Sequence, residues 1–205
     1  MTIQESMTQI LEREAQAIRN IPYSTDYDKA VELILEHVHR RGGKLVTSGM
    51  GKAGQVARNL AATLCSTGTT AVYLHPSEAQ HGDLGIVQPN DVILLISNSG
   101  TTREVIEITD LAKNLYPSVP FILITGNPDC ELARRVDATL LSGGAPEVCT
   151  LGLTPTTSIT VMRVICDVLV VNVMSRISFT AADYAKRHNG GALGTKSRAD
   201  SAITD

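Results

Sequence analysis

DVILLISNSGTTRE, residues 91–104, holds the transition on which the fold turns. Val92 to Ile96 is a short, unbroken apolar run, the pattern of a strand buried on both faces. Ser97 to Thr102 is small, hydroxylated and centred on Gly100, and from Thr102 to Leu115 the apolar residues recur at helical spacing. A buried strand that passes through a small-residue loop into a helix is half of a βαβ unit. The same alternation extends in both directions. Lys44 to Thr47, Ala71 to Leu74, Phe121 to Thr125 and Ala138 to Leu141 are further apolar runs bounded by Gly, Pro, Asn or Ser. Gly54 to Ser66 and Glu131 to Val136 read as helices between them, and 157–177 as a long one, with a short helix capped by Thr180. This predicts an α/β fold, a single domain over residues 1–194, in which helices cover both faces of a parallel sheet.

Two helical patterns precede the sheet. Ile3, Met7, Ile10, Leu11 and Ile18 form one apolar stripe that stops near Pro22. Lying outside the alternating core, this helix (1–22) is expected to pack on a neighbouring subunit. Ala30, Val31, Ile34, Leu35 and Val38 form the other, which ends at Gly42-Gly43. Residues 195–205 read as a polar, partly disordered tail.

Composition narrows the function. Of 205 residues, 43% are hydrophobic and 19% charged, the net charge is −3, and only 3% are aromatic, with no Trp. There is no basic surplus for nucleic acid and no stacking platform for bases. The N-terminal residues carry charge and lack the apolar core of a secretory signal. The most apolar stretch, Ile159 to Ile177, holds Arg163 and Asp167 one helical turn apart, which favours a core helix over a membrane span. Cys65, Cys130, Cys149 and Cys166 lie far apart, as expected of reduced thiols in a cytoplasmic protein. No cofactor is implied, and the His and Cys positions form no evident metal-ligand set.

In such sheets ligands bind where strand ends meet helix N-termini. Three loops there are unusual. SGMGKAG, Ser48 to Gly54, offers close backbone approach and the Lys52 cation, although a tight turn with a solvated lysine explains it equally well. SNSGTTRE, Ser97 to Glu104, crowds Ser97, Ser99, Thr101 and Thr102 beside Gly100, more hydroxyls than an N-cap requires, and so reads as a phosphate cradle. EVCTLGLTPTTS, Glu147 to Ser158, opens the long helix, where capping is the plainer explanation. Among the histidines, His37 and His39 read as surface residues. His81 and His188, each in a Gly-rich turn, are the candidates for chemistry.

Taken in order, SGMGK, HPSEAQHGDLG, SNSGTT, GLTPTTS and HNGGALG resemble the SIS (sugar isomerase) domain family. More narrowly, they resemble its D-arabinose-5-phosphate isomerases of the Kdo pathway. The resemblance runs from about residue 30 to 194. It implies a three-layer αβα sandwich on a five-stranded parallel sheet, and a homotetramer with shared active sites. By position, Lys52, Glu104, Glu147 and His188 match the family's catalytic residues and His81 a further active-site histidine. Ser48, Gly49, Ser97, Asn98, Ser99 and Thr102 fall in the substrate-binding set. Family members commonly continue into a CBS pair, whereas this sequence stops at Asp205, and EACPLGLAPT of the family reads EVCTLGLTPT here.

The chemistry so implied is aldose–ketose isomerisation of a sugar phosphate, ribulose 5-phosphate to arabinose 5-phosphate, through a cis-enediol(ate). It requires a carbon base, for which Glu104 and His188 are alternatives, and donors for the developing oxyanion. CMP-Kdo is an expected inhibitory ligand at the same cleft. A non-catalytic phosphosugar sensor and an isomerase for another sugar phosphate are the competing readings.

Overall fold

The computed structural model describes residues 2–202. Five strands, β1 (Leu45–Gly49), β2 (Ala71–Tyr73), β3 (Val92–Ile96), β4 (Phe121–Thr125) and β5 (Ala138–Leu141), form one sheet. Its order is β2-β1-β3-β4-β5, with every neighbouring pair parallel. Each strand lies within two residues of its expected bounds, because runs of β-branched and leucine side chains with breakers at both ends have few other ways to be buried.

Alternate strand residues supply two separate cores. Val92, Leu94 and Ile96 join α2 (Asp26–Ile34), α3 (Gly51–Ser66) and α6 (Thr157–Arg176) on one face. Ile93, Leu95, Phe121 and Leu123 join α5 (Arg103–Leu115) on the other. The architecture is therefore a three-layer αβα sandwich. The chain leaves β1 towards β2 on one side and β3 towards β4 on the other, so the sheet reverses its direction of winding between β1 and β3. That reversal opens a crevice above the strand ends.

α6 is the long apolar helix. Val161, Ile165, Leu169 and Val173 are buried in the first core, while Val168 and Val171 are exposed. Arg163 and Asp167 pair on its outer surface at 3.6 Å. Across it lies α1 (Ile3–Arg19), started by a Thr2–Glu5 capping box and burying Ala17. Ile3, Met7 and Leu11 of its stripe stand 89%, 59% and 57% exposed.

Several local expectations are corrected. The helix anticipated over 131–136 is a single 3₁₀ turn, Leu132–Arg134. α3 begins at Gly51 rather than Gly54, so Lys52 stands on its first turn. α2 continues as a π-helical segment, Leu35–Arg40, which turns His37 inward, while His39 is exposed as expected. His37 is buried with Nδ1 3.2 Å from the Asn90 carbonyl, and His39 Nε2 is 3.1 Å from Thr69 Oγ1. Partial desolvation of its ring lowers the basicity of His39. A four-residue helix, α4 (Pro76–Ala79), follows β2. The Thr180-capped helix is present as α7 (Ala181–Arg187), and residues expected in the polar tail continue in α8 (Gly191–Ala202). Residues 203–205 of that expected tail lie outside the described residues.

Candidate active site

The crevice between β1 and β3 contains a cavity of about 260 Å³. Lys52 and Met50 wall it on the α3 side, Ser97, Asn98, Ser99 and Thr102 on the α5 side, and Pro155 and Ser158 on the α6 side. Three helices thus begin at its rim. None of the three N-cap residues, Met50, Thr102 and Thr156, uses its own side chain to cap its helix. The first backbone N–H groups of a helix have no partner within it and favour anions.

Hydroxyls organise the α5 rim. Ser97 Oγ lies 3.1 Å from Thr102 Oγ1 and accepts the Gly100 N–H at 3.2 Å. Ser99 Oγ accepts the Thr101 N–H at 3.2 Å and its hydroxyl at 3.0 Å. Gly100 makes this loop possible. Its φ is +64°, and a Cβ there would lie 2.1 Å from Cys130 Sγ.

At the α6 rim a carboxylate satisfies the helix start. Glu147 Oε2 accepts from Thr156 N–H at 2.7 Å, Thr156 Oγ1 at 2.9 Å and Ser158 N–H at 3.2 Å, and Oε1 accepts from Ser158 Oγ. Partial burial by itself would raise the pKa of Glu147, but the bonds from Ser158 and Thr156 outweigh it and hold the carboxyl below its ordinary value. Glu147 is therefore an ionised anchor that fixes Ser158 against the cavity. Sequence spacing hid this, since acceptor and donors are separated by a loop. Within that loop Cys149 Sγ accepts the Leu153 and Thr154 N–H groups at 3.3 and 3.1 Å.

Ser48 is fully buried and its hydroxyl donates to the Leu74 carbonyl at 2.7 Å, joining two strand ends. Gly49 accepts from the Tyr73 hydroxyl at 2.9 Å and is confined by the Ile96 carbonyl. Tyr73, with Arg58 stacked 4.2 Å from its ring, was not picked out by any motif. Glu104 sits on the first turn of α5, half-buried, two residues beyond Thr102 of the cavity wall, and its Oε1 lies 4.0 Å from Arg103. His81 is exposed on the loop after α4, next to Gln80, whose amide bonds Glu107 on α5.

His188 stands apart. It stacks on Tyr184, and Tyr184 shares a recess with Met174 near the end of α6. The cavity instead touches α6 at Ser158, Ile159 and Met162. Met162 and Met174 are separated by about 18 Å of helix, so His188 does not reach its own chain's cavity.

The SIS domain model matches residues 24–172. The chain belongs to the SIS domain family. Arabinose 5-phosphate isomerase KdsD of Escherichia coli (strain K12) is 48% identical over 154 residues, 75% of this chain and 46% of that protein. The Salmonella typhi protein of the same name is 41% identical over 193 residues, 94% of this chain and 58% of its own. The chain thus spans about half the length of the curated relatives it matches. Among solved structures, a candidate phosphosugar isomerase involved in capsule formation from Bacteroides fragilis superimposes with a TM-score of 0.91 at 62% identity, covering 93% of this chain and 99% of that one. A protein of E. coli CFT073, solved in complex with arabinose 5-phosphate, superimposes at 0.83 with 32% identity, covering 92% and 100%. The SIS domain's sheet and crevice are thus shared with proteins named as phosphosugar isomerases.

Proposed function

We propose that this chain is a cytoplasmic aldose–ketose isomerase interconverting D-ribulose 5-phosphate and D-arabinose 5-phosphate. It would thereby supply Kdo for capsule or lipopolysaccharide. One observation carries the reading: Lys52 faces the Ser97–Thr102 hydroxyl loop across a cavity of about 260 Å³. Hydroxyls and helix N–H groups are suited to a phosphate dianion, and a cation opposite them is suited to an oxygen that gains charge as an enediolate forms. The names of the relatives support the same substrate class.

In this mechanism the phosphate rests on Ser97, Ser99 and Thr102, with Asn98 beside them. From the ketose a base removes a C1 proton, the enediolate charge is held by Lys52, and a proton is delivered to C2; from the aldose the same steps run from C2 to C1. Glu104 and His188 are the two candidates for base, the other assisting ring opening and transfer between O1 and O2. Glu147 holds the α6 rim, Ser48 and Gly49 hold the β1 rim, and His81 orients sugar hydroxyls. His188 acts in a neighbour's site, so the assembly is a homotetramer with shared active sites. The exposed stripe on α1 and the separation of His188 from its own cavity support this arrangement. CMP-Kdo competes with substrate at the cleft, since its sugar retains the distal stereochemistry of arabinose and it carries anionic groups.

The test is turnover of ribulose 5-phosphate by EDTA-treated protein, beside a panel of other sugar phosphates. Glu104→Gln and His188→Ala should each lower kcat about a hundredfold. Binding without turnover of any pentose phosphate would instead support a phosphosugar sensor, and near-normal rates in both variants would refute the assigned roles. Light scattering should give a tetramer; a monomer at micromolar concentration refutes the shared site. A titration with CMP-Kdo should raise the apparent KM at constant maximal rate, and absence of inhibition at millimolar levels removes that ligand.

A further inference from the structure

His188 ends α7, and two contacts fix its ring. The imidazole lies flat on the Tyr184 ring, with centroids 3.7 Å apart and planes 7° from parallel. Its Nδ1 is 3.0 Å from the Tyr184 carbonyl oxygen. A carbonyl oxygen can only accept, so the ring nitrogen facing it must carry hydrogen. The other nitrogen, Nε2, is then the one with a free lone pair whenever the ring is neutral.

We infer that Tyr184 is a positioning residue that holds neutral His188 in the Nδ1–H tautomer and presents Nε2 as the basic atom. This deepens the proposed isomerase reading and rests on it for its catalytic consequence, though not for the tautomer itself. An unconstrained neutral imidazole favours the opposite tautomer, with hydrogen on Nε2, and would offer a donor where proton abstraction or oxygen-to-oxygen transfer needs an acceptor. The peptide carbonyl reverses that preference. The stack prevents the ring from rotating away from the carbonyl, since rotation would lose face contact with the phenol.

Tyr184 is itself held. Its ring meets Phe179 edge-on at 6.5 Å, and Phe179 carries the Arg187 guanidinium 5.3 Å from its centroid. Phe179 packs against Gly68, where a Cβ would approach the phenyl ring to 2.8 Å. The Thr180–Asp183 capping box starts the helix that carries both residues. The hydroxyl of Tyr184 makes neither of the two contacts with His188. The stack and the main-chain carbonyl do, so Phe should serve in its place and a small aliphatic residue should not.

The experiment is long-range ¹H–¹⁵N NMR of the whole protein, with His188 assigned by comparison with His188→Ala, at a pH where the ring is neutral. Wild type should show a protonated-type shift at Nδ1 and an unprotonated-type shift at Nε2. Tyr184→Phe should keep that pattern and most of the turnover. Tyr184→Ala should shift the population towards Nε2–H and lower kcat about tenfold or more while KM changes less than about twofold. An Nε2–H ring in wild type overturns the inference, as does Tyr184→Ala with unchanged tautomer and kcat. If wild type shows the Nδ1–H ring but no isomerase activity, the isomerase reading fails and the tautomer assignment stands. Should Tyr184→Ala fail to fold, the wild-type and Tyr184→Phe spectra still decide the tautomer.

Discussion

Replacing Glu147 with alanine tests whether this carboxylate is the anchor of α6. Four donors are directed at it, two backbone N–H groups and two hydroxyls of Thr156 and Ser158. In the variant the hydroxyls can rotate to water, but the two N–H groups at the helix start lose a charged acceptor. A hydrogen bond to a charged group contributes about 1.5–3 kcal/mol, and the lower end applies to a half-buried site. Two such bonds give roughly 3 kcal/mol, less about 1 kcal/mol regained by hydration, for a net loss of about 2 kcal/mol. In a chain of this size that lowers Tm by about 4–8 °C. The assay is thermal unfolding of wild type, Glu147→Ala and Glu147→Gln between pH 4 and 8. The folded carboxyl is held below its ordinary value, so its contribution is complete above the unfolded pKa. That contribution is lost as pH falls through the folded value. The difference between wild type and Glu147→Ala should therefore be constant from pH 6 to 8 and shrink below about pH 4.5. A loss under about 0.5 kcal/mol, or a difference that grows on acidification, would refute the anchor.

Other perturbations probe the cavity loop and the wider frame. Asp91 is fully buried and accepts Lys44 N–H at 2.9 Å, Lys44 Nζ at 2.6 Å and Gln88 N–H at 2.7 Å. Asp91→Ala should cost about 3–5 kcal/mol in urea unfolding, and a loss under 1 kcal/mol would show the pair to be dispensable. Gly100→Ala meets both a left-handed backbone and Cys130, so it should raise KM for sugar phosphate several-fold and cost about 1–3 kcal/mol; unchanged KM contradicts the cradle geometry. Ser178 holds a φ of +53° just beyond α6, and Ser178→Gly should stabilise by about 1 kcal/mol in the same unfolding assay. A stability loss would show that the serine is not strained.

The sheet was legible because each strand is specified locally. Val92–Ile96 and Phe121–Thr125 are apolar on both faces and flanked by breakers, so burial between two helical layers is the arrangement that satisfies them. The start of α5 was equally plain from Thr102 and the glycine before it. Where local signals were weak the reading failed. Glu131 to Val136 had helical spacing but room for only one 3₁₀ turn, and nothing in LEHVHR marked the π-helical segment that buries His37. The site divides in the same way. Sequence alone determined the αβα class, the family and the hydroxyl loop, since all three follow from residues adjacent in the chain. Only the tertiary structure decided that Ser48 spends its hydroxyl on Leu74 and that Glu147 spends its charge on α6. It also decided that His188 lies far from its own chain's cavity. These outcomes depend on which strands are neighbours and on how far a helix of 20 residues carries the chain from the strand ends, and neither is written in the residues that flank each motif.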